Sequence, residues 1–261
     1  NNKMNMEEIY DNTFFNSMDE HTYSARIILN ILFKHYNPKS IVDVGCGTGI
    51  WLKIARELSA VSITGVDGTW LKQEMLLSDR IELITHDLEI PLPTLPAFDL
   101  AISLEVAEHL PEKRAESFIK DLCNLSKVVL FSAAIPNQGG DHHINEQWQS
   151  YWFGLFRDNN YLCFDIIRHQ VWDDERVKSW YKQNCMVYIS NDFSDHFNKT
   201  NQSKYPLDIV HKEIFSLNPD KFKYFQIISS SPRTFNLWQG LTLFLLCIIS
   251  ILLFLVMINF Y

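Results

Sequence analysis

Ile41-Val-Asp-Val-Gly45-Cys-Gly47-Thr-Gly49 is an apolar, β-branched run with an acid near its end, followed by three glycines at alternate positions. An amphipathic helical pattern then runs from Trp51 to Leu58. A strand that feeds a glycine-rich turn at a helix N-terminus builds a nucleotide site at the carboxyl edge of a parallel sheet. Glycine is required there because a Cβ would strike the ligand or forbid the φ angles of the turn. A dinucleotide turn has the spacing G-x-G-x-x-G with no acid inside the strand end. Here the spacing is D-x-G-x-G-x-G.

Working outward, Val61–Val66 reads as a second strand, with Asp67 and Gly68 at its end. An acid in that position accepts hydrogen bonds from ribose hydroxyls. Arg80–Thr85 reads as a third strand and leads into His86-Asp87-Leu88, an acid suited to an adenine amine beside an apolar residue suited to the ring. Phe98–Ser103 is a fourth strand and Ser126–Ser132 a fifth. Such alternation of strands and helices to about residue 132 implies a doubly wound parallel sheet. Tyr161–Asp165 and Cys185–Ile189 read as the last two strands.

The D-x-G-x-G-x-G turn and the acids after the next two strands resemble the class I S-adenosylmethionine (SAM) methyltransferases, over about residues 35–190. The resemblance implies an α/β, Rossmann-like, doubly wound sheet of about seven strands, the last antiparallel, with SAM as cofactor. Its cofactor site would comprise Asp43, Gly45, Cys46, Gly47, Gly49, Asp67, Gly68, Asp87, Leu88 and Leu104. The cationic amino-acid end of SAM needs an anionic or carbonyl-lined neighbour, which Asp43 can help provide. Cys46 reads as a small packing residue, not a nucleophile.

Two further stretches carry chemistry. Glu105-Val-Ala-Glu108-His109 is expected to open the helix after the fourth strand, where positions i, i+3 and i+4 share a face. Carboxylates there favour a hard divalent cation, and the imidazole admits manganese, iron or zinc. Ile135-Pro-Asn-Gln-Gly-Gly-Asp-His142-His143-Ile-Asn-Glu146 reads as a mobile loop crossing the same sheet edge. Together these resemble the metal-dependent O-methyltransferases of ubiquinone biosynthesis and the 2′-O-methyltransferases of small-RNA 3′ ends. That likeness implies Glu105, Glu108 and His109 as ligands of magnesium or manganese, with His142 or His143 as the fourth. His109, His142 and His143 are also candidate general bases. The same pattern occurs in metal-free methyltransferases, where the glutamate and histidine contact SAM, cap the helix or act as base.

The run His142-His-Ile-Asn-Glu-Gln-Trp148-Gln-Ser-Tyr151-Trp152 is similar to bacterial methyltransferases of glycan and lipid-linked sugar gene clusters. Aromatics beside polar groups suit a saccharide or quinone acceptor. Trp152 and Phe156, at helical spacing, read as packing residues.

Composition bounds these readings. A chain of 261 residues suits one such domain with short extensions, and a net charge of −8 sets it against a nucleic-acid partner. Five cysteines with no C-x-x-C pair fit a reducing compartment. Asn1–Glu20 lacks the apolar run of a secretory signal. Residues 18–36 show a helical apolar stripe, ended by Pro38, that covers the sheet edge or the SAM site. From Leu241 to Ile258 only Thr242 and Ser250 are polar, a run close to the roughly 20 residues a membrane span needs. Lys221, Lys223 and Arg233 precede it and place the catalytic domain on the cytoplasmic side. The expected order is therefore a helical cap (1–37), a methyltransferase domain (38–190), a polar linker (191–236) and a transmembrane tail anchor (237–261). The function expected is O-methylation of a small-molecule or lipid-linked acceptor at a membrane. Alternatives are a small-RNA 2′-O-methyltransferase and a non-catalytic SAM-fold scaffold.

Overall fold

The computed structural model describes residues 12–197, 202–203 and 208–222, with side chains from His21 onward. The chain divides into two compact units, Asn1–Asn218 and Pro219–Tyr261, and only residues 219–222 of the second are described. The expected tail anchor at 237–261 and the end of the expected linker, 223–236, lie outside the described residues. Among the described residues no helix is long and apolar enough to cross a membrane.

The first unit is built on β1 (Ser40–Val44), β2 (Ser62–Asp67), β3 (Glu82–Thr85), β4 (Leu100–Leu104), β5 (Val128–Ser132), β6 (Tyr161–Phe164), β7 (Met186–Ser190) and β8 (Gln202–Ser203). They form one sheet in the order β3-β2-β1-β4-β5-β7-β6-β8. The first five are parallel, and β7 runs antiparallel to both β5 and β6. β4 and β5 are buried at every position, as parallel strands covered on both faces must be. The sheet has eight strands where about seven were expected. The extra one is the two-residue β8 on β6, within the stretch read as linker, and its polar sequence carries no strand alternation.

Helices α1 (Asn12–His35) and α2 (Ile50–Leu58) cover one face, with Ile28, Leu32 and Leu52 packed on Ile41 and Val187. Helices α3 (Ala115–Leu125) and α4 (Gln149–Asp158) cover the other. There Phe156 stacks on Tyr188, ring centroids 3.8 Å apart, a pair worth about 0.5–1.5 kcal/mol beyond its buried area. Trp152 also packs in this layer, against Phe131. The short helices α5 (Arg168–Val171), α6 (Ser179–Asn184) and α7 (Lys212–Leu217) complete the unit.

Two segments depart from expectation. No α-helix opens at Glu105: that residue has a left-handed φ of 55°, and α3 begins only at Ala115. Between them lie single 3₁₀ turns at Ala107–His109 and Glu112–Arg114, interrupted by Pro111, whose fixed φ and missing N–H suit a break. Within the stretch read as linker, residues 208–218 pack into the first unit. The Asp208 carboxylate accepts from the Ser150 N–H (2.8 Å) and hydroxyl (2.7 Å), and the buried His211 donates its N–H to Gln183 Oε1 (2.7 Å).

Candidate active site

The strand order reverses between β1 and β4, so a crevice opens at their carboxyl ends, the place where open α/β sheets bind ligands. The chain enters it through Gly45, whose N–H donates to Val66 O (2.8 Å). A Cβ on Gly45 would fall 2.3 Å from Val106 Cγ2, so β1 can turn there only with glycine. Gly47, at φ +49°, lines the crevice, and an added Cβ would meet no protein atom within 4 Å. The space a side chain would fill is thus left to a ligand. Asp67 braces the turn, accepting from the N–H of Gly47 on Oδ2 and of Gly68 on Oδ1, both at 2.7 Å.

The cavity has a volume of about 450 Å³, within the range of small-molecule sites. Of the expected cofactor residues, Gly45, Cys46, Gly47 and Leu104 line it, together with Glu105, Glu108 and His143. The others stand back from its wall. Asp43 is buried inside β1, where desolvation and then the neighbouring Asp67 push its carboxyl well above the usual range. Gly49 is the N-cap of α2, and Gly68 follows the Asp67 brace. Asp87 is exposed and accepts from the Glu89 N–H (2.9 Å), while Leu88 packs against the α3 side of the core. Buried Arg114 holds this loop through the carbonyls of Leu88 and Ile90, both at 3.1 Å, and pairs with Asp121. Burial, followed by Asp43 and Asp67, raises the Cys46 thiol far from a thiolate, consistent with a packing role.

The expected cation ligands separate into two groups. Glu108, His109 and His143 offer ligand atoms that all lie within 4.8 Å of one another. Glu108 is fully buried, and neither carboxylate oxygen has a hydrogen-bond partner. Its carboxyl is raised well above the usual range by burial and then by Glu105, while the nearby backbone N–H groups of Glu108 and Ala134, too poorly aligned for full hydrogen bonds, counter this in part. Glu105 falls outside this trio because its left-handed backbone aims it elsewhere. Its Oε2 accepts from Gln138 Nε2 (3.0 Å) and its Oε1 from Asn184 Nδ2 (3.2 Å). Burial raises the Glu105 carboxyl as well, and these amides partly counter the shift. Burial and then His143 lower the His109 imidazole, so it is neutral at pH 7 and able to ligate a cation or take a proton. His142 is exposed and does not line the cavity, so of the two adjacent histidines the structure brings His143 to the site.

Sequence reasoning missed the opposite wall. His21 on α1 faces Trp180 and Tyr181 on α6, with ring centroids 6.0 and 6.3 Å away, and Trp51 stands 5.2 Å from Tyr181. All four line the cavity, whereas Trp148 and Tyr151 do not. The α1 stripe was legible, but the approach of α6, six residues long, left no pattern in the sequence.

This crevice, the glycine turn and the Asp67 brace are those of a class I SAM-dependent methyltransferase, with SAM as cofactor. The chain belongs to the Methyltransferase domain family, which matches residues 17–183. A protein of Oryza sativa subsp. japonica named as a chloroplastic tocopherol O-methyltransferase is 36% identical over 98 residues, 34% of this chain. The chain spans about a quarter (26%) of that relative's length. The protein in complex with the Haloferax volcanii Trm112 methyltransferase activator shares the fold at 14% identity and a TM-score of 0.53, covering 72% of this chain and 99% of that one. Magnesium protoporphyrin IX methyltransferase of Synechocystis PCC 6803, solved with bound SAM, superposes with a TM-score of 0.47 at 14% identity, over 73% and 86% of the two chains.

Proposed function

We propose that this protein transfers the methyl group of SAM to an oxygen of a membrane-associated saccharide, lipid-linked or quinol-type acceptor, with help from a divalent cation. The observation that carries the reading is Glu108. Its buried carboxyl lines the cavity with His143, and it stands within 4.8 Å of ring nitrogens of both His143 and His109, a donor set suited to a cation.

SAM, when bound, supplies an electrophilic methyl on a sulfonium, so the chain's task is to align and deprotonate an acceptor. The glycine turn allows close approach, and Leu104, Trp51 and Tyr181 give the cavity an apolar wall. Glu108, His109 and His143 would hold the cation, whose charge would lower the pKa of an acceptor hydroxyl. One carboxylate and two imidazoles, with Glu105 alongside, suit manganese better than magnesium. The relative named for O-methylation supports oxygen as the acceptor atom. The apolar run 241–258 supports a membrane anchor with the domain on the cytoplasmic face.

The test is methyl transfer by the full chain to lipid-linked saccharides and quinols in vesicles. Transfer should fall with EDTA, return with Mn²⁺, and weaken on vesicle acceptors when residues 234–261 are removed. Undiminished transfer in EDTA would refute the cation. Undiminished transfer without the tail would refute the anchor.

A further inference from the structure

The loop between β5 and α4 holds four residues at positive φ: Asn137 (69°), Gly139 (79°), Gly140 (152°) and His142 (58°). Residues with a Cβ seldom adopt such angles, so this path needs an external hold. One carboxylate supplies it. Glu146 Oε2 accepts from the Asn137 N–H at 2.7 Å, and Oε1 from the Gly139 N–H at 3.0 Å. The same Oε1 lies 3.0 Å from His143 Nδ1.

That third contact goes beyond stapling a loop. An ionised carboxylate only accepts, so the proton must sit on His143 Nδ1, and in the neutral ring Nε2 then keeps a lone pair. Nε2 is turned toward Gly140, where a Cβ would lie 2.3 Å from it, so the ring occupies ground that only glycine leaves open. The ring also stands nearly perpendicular to His109, at a centroid distance of 4.9 Å, within the Glu108 cluster.

We propose that Glu146 is the positioning residue of the site: its carboxylate folds the loop and fixes His143 as the Nδ1–H tautomer, leaving Nε2 unprotonated in the ring that packs on His109. What Nε2 then does rests on the cation reading above, whereas the tautomer and the loop do not. Carboxylates commonly set metal-binding histidines in this way, and their loss costs about 10- to 100-fold in metal affinity.

The experiment uses the full chain with ¹⁵N-labelled histidine, free of metal, with His143 assigned through His143→Gln. Long-range ¹H–¹⁵N correlation should show the Nδ1–H tautomer in the parent and its loss in Glu146→Met, which keeps the volume and removes both acceptor oxygens. Calorimetry with Mn²⁺ should show affinity falling about 10- to 100-fold in that variant, with S-adenosylhomocysteine binding retained. An Nε2–H tautomer in the parent, which needs no variant to observe, would overturn the proposal. So would a tautomer or Mn²⁺ affinity indifferent to Glu146→Met. If the parent bound no Mn²⁺, the cation reading would fail, and the tautomer would still decide the role of Glu146.

Discussion

A carboxylate oxygen of Glu108 and a ring nitrogen of His143 lie within 4.8 Å of each other, and neither Glu108 oxygen has a hydrogen-bond partner among the described residues. The first comes from a 3₁₀ turn after β4, the second from the loop after β5. Their meeting joins two residues 35 positions apart at the edge where the cofactor turn also lies.

Glu108→Met removes a buried polar group and keeps the volume. An unpaired buried polar group costs about 1–3 kcal/mol, so the metal-free variant should be more stable by that order. For a domain of this size the melting temperature rises by about 2–4 °C for each kcal/mol. The stabilisation by Mn²⁺ seen in the parent should vanish. Thermal melts with EDTA and with Mn²⁺ read both effects. A variant less stable than the metal-free parent would show that Glu108 is satisfied by contacts of its own.

Asp43 gives a pH dependence of definite sign. Its folded pKa is raised by burial and then by Asp67, so the folded state holds its proton more tightly than the unfolded chain does. Its stabilising contribution is therefore complete below the unfolded value, about 3.9, and is lost as pH rises through the folded value. Asp43→Asn should gain stability over the parent, and the gain should be larger at pH 8 than at pH 5. Urea midpoints at the two pH values measure it, and a gain that shrank with pH would contradict the assignment.

Tyr188 separates packing from polarity in the core. Its ring stacks on Phe156, but its buried hydroxyl has no partner. Tyr188→Phe should be neutral or stabilising by about 1 kcal/mol, while Phe156→Ala should cost about 3–5 kcal/mol. Chemical denaturation of the two variants tests the contrast.

The sequence made the sheet legible because apolar runs, the glycine turn and the strand-end acids are local signals. Gly45, Gly47 and Leu104 were read this way and line the cavity; Glu108 came from the E-x-x-E-H pattern, and the sequence left His142 and His143 as equals, of which only His143 lines it. Glu105 was misplaced in detail because a helical face was assumed where its backbone is left-handed. Asp67, read as a ribose acceptor, also accepts one N–H of the turn on each oxygen, a brace that no sequence pattern announces. His21, Trp180, Gln138 and Asn184 went unread because their roles depend on α1, α6 and the loop after β5 meeting in space. Residues 208–218, polar and irregular in sequence, are held by side-chain contacts to Ser150 and Gln183 that no periodicity announces.

Titration of S-adenosylhomocysteine into the full chain, beside Gly47→Val, tests the cofactor site most directly. The valine side chain would meet no protein atom near its Cβ but would strain the turn at φ +49°, so both the turn and the space for the ligand are lost together. The parent should bind with about micromolar affinity, near −8 kcal/mol, and a folded Gly47→Val should not bind detectably. A folded parent that binds no S-adenosylhomocysteine, with or without Mn²⁺, or a variant that binds as well as the parent, would contradict the account.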